Sequence, residues 1–392
     1  MDRCERFASE LPWLEGGLYF NHAAVSPLPK SVVEAMEEAV RLEAVVPVSP
    51  TAKRRWADIR EETRRLVAEF IGAAGRNIAF VQSTSAALSI VALALPWQKG
   101  DNVVTASVEN PANINPWQNL AHLGVEVRYL PADRDDLIDI SGLTSLIDSK
   151  TRLVALSLVN YATGQRVSLK KVADLCRPEG ILTVIDGVQG VGAVPCDVSC
   201  GINFLAFGFQ KWMMGPKNIA ALYADDAALE QLRSPIVTEG NVADIRKEEE
   251  ERTSGIPLMR EHDGALKLEA VPFNHFAGIF GVRKVLSIFN GFGKERIWQR
   301  VREVTDTLVA SLSNLPGRVV SPRNDEEWSG IVSFDTGAAS AWDVARTLRE
   351  KKIHVAVRKG RVRISPHFYV GAKEIRRFAA ELASAVAAAG NG

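Results

Sequence analysis

Ile181-Leu182-Thr183-Val184-Ile185-Asp186 and Asn203-Phe204-Leu205-Ala206-Phe207-Gly208-Phe209-Gln210-Lys211 decide the fold. Each is a short apolar run that gives way to a polar group. Such runs are what a strand needs when helices cover both faces of its sheet, as in a parallel α/β domain. Working outward, similar runs lie at 78–82, 102–106, 125–129, 153–159 and 219–223, and helical stretches at 84–94, 112–123 and 168–176 fall between them. The alternation predicts an α/β domain with a large, mostly parallel seven-stranded sheet. In such sheets ligands gather at the carboxyl ends of the strands, where Asp186 and Lys211 stand.

The rest of the chain fits around that domain. Residues 30–45 and 51–72 read as helices, the second with Trp56, Ile59, Leu66, Val67 and Phe70 on one stripe. Residues 233–265 form a polar surface excursion. Strands near 329–334, 353–356 and 361–365, with helices at 340–350 and 371–388, make a smaller α/β unit. The predicted division is a large domain over 16–280 and a small one from 1–15 together with 281–392.

Composition excludes several function classes. With 47 basic and 47 acidic residues the net charge is zero, so nothing favours nucleic acid or an anionic membrane as partner. No stretch approaches the roughly 18 apolar residues of a membrane span, and the first twenty residues lack a signal-peptide core. Cys4, Cys176, Cys196 and Cys200 show no disulfide framework and no metal-binding spacing. A cytoplasmic protein with reduced thiols and no metal is expected.

An acid and a lysine at neighbouring strand mouths are the pair that pyridoxal 5'-phosphate (PLP) requires. The lysine amine holds the cofactor aldehyde as a Schiff base, and the carboxylate keeps the pyridine nitrogen protonated. Three further features suit that cofactor. Ser83-Thr84-Ser85 sits between a strand and a helix, where hydroxyls and amides meet a phosphate, although an ordinary N-cap reads the same way. Gln189 follows Asp186 by three residues, within reach of the phenolic oxygen. Arg363, in Arg361-Val362-Arg363-Ile364-Ser365-Pro366-His367-Phe368-Tyr369, has the fork that grips a substrate carboxylate, with Arg361 of the same parity as its competitor.

From Leu18-Tyr19-Phe20-Asn21-His22-Ala23-Ala24-Val25-Ser26-Pro27 to the Arg363 motif, the chain resembles the class V aminotransferase and cysteine desulfurase family of fold type I PLP enzymes, which includes isopenicillin N epimerase. The resemblance implies that Lys211 is the Schiff-base lysine, Asp186 the pyridinium partner and Gln189 the phenolate partner. It also implies that Thr84 and Ser85 bind phosphate, that Arg363 takes the substrate carboxylate, and that the protein is a homodimer with shared sites.

Departures from the family pattern narrow the chemistry. Desulfurases carry a nucleophilic cysteine shortly before the arginine motif, where this chain reads His354-Val355-Ala356-Val357-Arg358-Lys359-Gly360, so the usual persulfide route is not expected. Asn110 stands where a histidine stacks on the cofactor ring. An amide does no acid-base work near neutral pH, which leaves proton handling to Lys211, His22 or Tyr161. Gly208 replaces a phosphate-binding serine, Gln210 a histidine, and Val271-Pro272 a Gly-Thr pair. Gln210 and Asn274 are the candidates to restore the phosphate grip. Asn21, His22 and Tyr161 are expected near the substrate. Aminotransferase is the first expectation, with β-elimination on a cysteine derivative or epimerisation as alternatives and a non-catalytic PLP-binding module as a further one.

Overall fold

The computed structural model describes residues 3–238, 241–242, 261–269 and 275–390. Among them, seven strands form the main sheet: β2 (Ile78–Val81), β3 (Asn102–Ala106), β4 (Glu126–Leu130), β5 (Thr151–Ser157), β6 (Leu182–Asp186), β7 (Phe204–Gly208) and β8 (Ala220–Ala224). Their spatial order is β2-β8-β7-β6-β5-β3-β4. All pairs are parallel except those of β8, which runs against both β2 and β7.

The unbroken apolar runs are explained by burial on both faces. Leu182 and Val184 of β6, with Phe204 and Ala206 of β7, pack into one core layer. Ile185, Leu205 and Phe207 belong to the other, the cluster that also holds Ile59 and Val67 of helix Pro50–Ile71 and Val282 and Val285 of helix Phe276–Phe292. Local chemistry sets the helix ends. Ser49 caps Pro50–Ile71 by accepting from the Ala52 N–H, proline occupies the first turn, and Gly72 at φ 76° closes the helix in the left-handed region.

A second sheet of four antiparallel strands has the order β12-β13-β10-β9, from β9 (Arg318–Val319), β10 (Val332–Asp335), β12 (Ala356–Arg358) and β13 (Arg361–Ile364). A short parallel pair, β1 (Leu18–Tyr19) with β11 (Ile353–His354), joins the amino-terminal segment to this unit. The bridge Asn21↔Ser365 extends that join.

Two expectations are corrected. The helix predicted at 112–123 is broken into turns of 3-10 helix around a short α-helical Asn115–Gln118, because Pro111 and Pro116 each remove an N–H. The strand expected at 353–356 is divided between β11 and β12. Phe280 and Gly281, on either side of the expected domain division, both lie in helix Phe276–Phe292. Most of the excursion at 233–265, together with Pro272 and Asn274, lies outside the described residues. Among the described residues, no helix is long and apolar enough to cross a membrane.

Candidate active site

Asp186 ends β6 with its carboxyl group buried, 3% exposed, and Oδ1 accepting from the Val188 N–H at 2.9 Å. Burial raises its pKa, with the Val188 bond and the charge of Lys211 opposing the rise. Lys211 follows β7 and is half-buried. Enough protein surrounds the amine that desolvation brings its pKa down to about 8, against the pull of Asp186 and with help from the charges of Arg363 and Arg358. The two groups expected from the strand ends are therefore electrostatic neighbours.

The lysine is held by its backbone. The carbonyls of Gln210, Lys211 and Trp212 accept, in turn, from the Ser26 N–H (2.8 Å), the Ser26 hydroxyl (2.5 Å) and His367 Nε2 (2.8 Å). Lys211 O also receives the Met214 N–H, and Met214 takes a φ of 54° to close that turn. Gln189 locks the side: its amide donates to Ala23 O at 2.8 Å and its Oε1 accepts from the Trp212 indole at 3.0 Å. The second amide proton of Gln189 is left for another acceptor.

His22 occupies a different place from the one expected. It is fully buried, with Nδ1 2.6 Å from Ser26 Oγ and Nε2 2.9 Å from the Tyr369 hydroxyl. Because Ser26 gives its proton to Lys211 O, Nδ1 carries the histidine proton and Nε2 accepts from Tyr369. Burial and the neighbouring His367 hold the His22 pKa well below the ordinary histidine range. The ring is a neutral strut with no nitrogen left for a proton shuttle.

The hydroxyls at the start of helix Thr84–Ala94 divide their work. Ser83 is the N-cap, accepting from the Ala86 N–H at 3.1 Å. Thr84 Oγ1 is buried without a partner, and Ser85 lies exposed on the next position. Asn110 caps a turn by accepting from the Ala112 N–H at 3.0 Å. A Cβ at Gly208 would lie 2.2 Å from Gln210 Oε1, so the Gln210 amide already fills the space that a serine at 208 would need. Those two departures are one local exchange.

Arg363, 1% exposed, lies on β13 with Nη1 donating to Tyr161 O at 2.8 Å and Nη2 to Asn21 Oδ1 at 3.5 Å, while Nε has no partner. Tyr161 and Asn21 thus meet Arg363, Tyr161 through its carbonyl. Desolvation, helped by Arg358, pulls the Arg363 pKa down to about 9. Its competitor Arg361 is engaged elsewhere, with Asp136 and the Asp135 carbonyl.

Sequence reasoning missed Glu109, Ser26, His367 and Arg358. Glu109 accepts from Ser157 N at 2.7 Å and from the Ser157 hydroxyl, and burial lifts its pKa to about 7 with Asp186 adding to the rise. Its one visible signal was a carboxylate among the uncharged residues of Ser107-Val108-Glu109-Asn110. Arg358 precedes a two-residue turn, Lys359-Gly360, with φ of 50° and 72° and with Arg358 paired to Arg361. Two left-handed residues in that position make a type I′ hairpin, the shortest link between two strands.

This donor set suits PLP: a lysine of lowered pKa, a buried acid beside it, and a buried hydroxyl without a partner at a helix N-terminus. The family model of aminotransferase class V matches residues 18–378, which include every one of these positions. The chain belongs to the class V aminotransferase family. Members of this family are PLP-dependent enzymes. Similar relatives include a probable cysteine desulfurase of Methanothermobacter thermautotrophicus, 29% identical and covering 95% of this chain and 96% of the relative. Another, from Pyrococcus abyssi, is 30% identical with 95% of each chain covered. Among solved structures, the apo cysteine desulfurase of Thermococcus onnurineus NA1 superposes with a TM-score of 0.88 over 99% of both chains at 26% identity. A cystine C–S lyase bound to cysteine persulfide shares the fold at 0.85, with 23% identity over 95% of this chain and 99% of that one.

Proposed function

We propose that this class V enzyme is a PLP-dependent carbon–sulfur lyase that removes the β-substituent of a cysteine-type amino acid without storing sulfur on a protein thiol. The observation that carries the reading is the Lys359-Gly360 turn. It leaves no loop in front of Arg363 on which a nucleophilic cysteine could stand. The described cysteines offer no substitute: burial pushes Cys176 and Cys196 up to about 12 and raises Cys200, and Cys4 is buried. Thiolate chemistry needs the opposite environment. The similarity to enzymes named for C–S cleavage supports the choice of bond.

In this reading Arg363 grips the α-carboxylate and Asp186 holds a proton on the pyridine nitrogen. Bound to Lys211, PLP supplies an electron sink beside the substrate α-carbon. The Lys211 amine would take the α-proton and return a proton to the departing sulfur. Thr84 and the Gln210 amide would hold the phosphate, and Gln189 has an amide proton to give to the phenolic oxygen. The balance is R–S–CH2–CH(NH3+)–COO− + H2O → R–SH + pyruvate + NH4+. Homodimeric assembly with shared sites and a cytoplasmic location belong to the same reading.

Amino transfer, the first expectation from the sequence, stands second and is supported by the family to which the chain belongs. Purified protein loaded with PLP should release pyruvate and ammonia in equal amounts from cysteine or an S-substituted cysteine. A keto acid without ammonia, with the cofactor converted to its amine form, would favour amino transfer. Alanine, with sulfur left on the protein, would overturn the reading.

A further inference from the structure

The β12–β13 hairpin sets three arginines on one face. In its antiparallel register Ala356 lies opposite Arg363 and Arg358 opposite Arg361. Directly opposed residues share a face, as do alternate residues of one strand, so Arg358, Arg361 and Arg363 project to the same side. Their partners differ. Arg361, near the turn, is neutralised by Asp136 at 3.0 Å, with Asp135 nearby at 3.7 Å.

Arg363 and Arg358 have no carboxylate partner among the described residues. Arg363 reaches a carbonyl and an amide oxygen and keeps an unpartnered, buried Nε. Arg358 donates to the carbonyl of its own neighbour, Val357, at 2.7 Å. It lies close enough to both Lys211 and Arg363 for its charge to act on each. Lys211, Arg363 and Arg358 are therefore electrostatic neighbours, with Asp186 as the carboxylate that acts on Lys211. Like charges brought together in a partly desolvated cleft repel, and an anion between them removes that cost. The α-carboxylate of an amino acid neutralises one guanidinium, that of Arg363. The position of Arg358 at the hairpin end, diagonal to Arg363, leaves it for a group further along the substrate.

We propose that Arg358 receives a second negative charge on the substrate, and that the site selects α-amino acids whose side chain ends in a carboxylate or a sulfur oxyacid. This rests on the reading that Arg363 binds the α-carboxylate of an amino acid, and it holds whichever reaction follows. A guanidinium suits the task because it meets planar or tetrahedral oxyanions in forked geometry.

The test is calorimetric titration of the PLP-loaded protein with succinate, a dianion, and butyrate, a monoanion of the same carbon count. Neither can be turned over. Succinate should bind at least about 10-fold tighter than butyrate, as a charge-assisted contact allows. Arg358→Gln should remove that preference while leaving butyrate affinity within about twofold, Arg358→Lys should restore part of it, and Arg363→Lys should weaken both ligands. Equal affinity of the wild type for the two ligands would overturn the proposal. So would an Arg358→Gln variant that weakens both ligands equally, or one that loses PLP. A preference that vanishes in Arg358→Gln while no cysteine derivative is cleaved would uphold the second-charge site and refute the lyase reading alone.

Discussion

The two walls of the cleft are built in opposite ways. On the lysine wall, three consecutive carbonyls, a glutamine and two histidines are all hydrogen-bonded, and Glu109 accepts two bonds from Ser157. On the arginine wall, Arg363 keeps an unpartnered Nε and Arg358 has a single backbone contact. The lysine side is hydrogen-bonded within the protein apart from one Gln189 amide proton and the Thr84 hydroxyl, whereas the arginine side keeps a buried guanidinium Nε without a partner. The contrast suggests that the lysine wall serves a resident group and the arginine wall a transient one.

The largest effect should come from removing the amine on the lysine side. Lys211→Ala is expected to lower turnover by about 10^4-fold, the upper range for a positioned acid-base group. Borohydride reduction of the wild type should attach PLP to the Lys211 peptide, and the variant should show no adduct by mass spectrometry. In protein stripped of cofactor, the rate of PLP capture should rise with pH through about 8, because the neutral amine is the nucleophile and the Lys211 pKa is lowered to that value. A capture rate that is flat between pH 7 and 9 would contradict this.

Glu109 offers a sharper test of saturation. Its folded-state pKa is raised, so the proton it holds stabilises the fold at low pH, and that stabilisation is lost as pH climbs from about 4.5 to about 7. Glu109→Gln should flatten the pH dependence of denaturant stability across this window by about 3 kcal/mol. Ser26→Ala removes the donor to Lys211 O and strands the proton on His22 Nδ1, and should cost about 1–3 kcal/mol. The smallest change should follow Gly208→Ser. Its side chain would meet the flexible end of Gln210, so stability should fall by less than about 1 kcal/mol while PLP affinity changes measurably. Adding Gln210→His should reverse that shift.

Much of the architecture was legible because it is repetitive. The strands of the main sheet and helix Thr84–Ala94 fall within two residues of their predicted limits, since two-faced burial and a serine cap are local signals. The reversal of β8 was not legible, because a strand buried on both faces carries the same pattern in either direction. Asp186, Lys211 and Arg363 could be picked out as charged groups beside apolar runs. The place of His22 could not, because its partner Tyr369 is 347 residues away in the chain. Glu109 escaped for a related reason: its partner Ser157 stands at the end of β5, 48 residues away in the chain.

One short segment also sets a distance. Phe20 O accepts the Ser365 N–H, and the N–H groups of His22 and Ala23 donate to Ser365, two residues past Arg363. Three residues further on, Ser26 is bonded to the Gln210 and Lys211 carbonyls. Residues 20–26 therefore act as a caliper whose jaws are the arginine strand and the lysine loop. Every α-amino acid presents its carboxylate and amine at the same separation, whatever its side chain. Under the proposed reading, a spacing set by residues 20–26 would serve every α-amino acid alike and leave the remaining length of the substrate to be judged elsewhere.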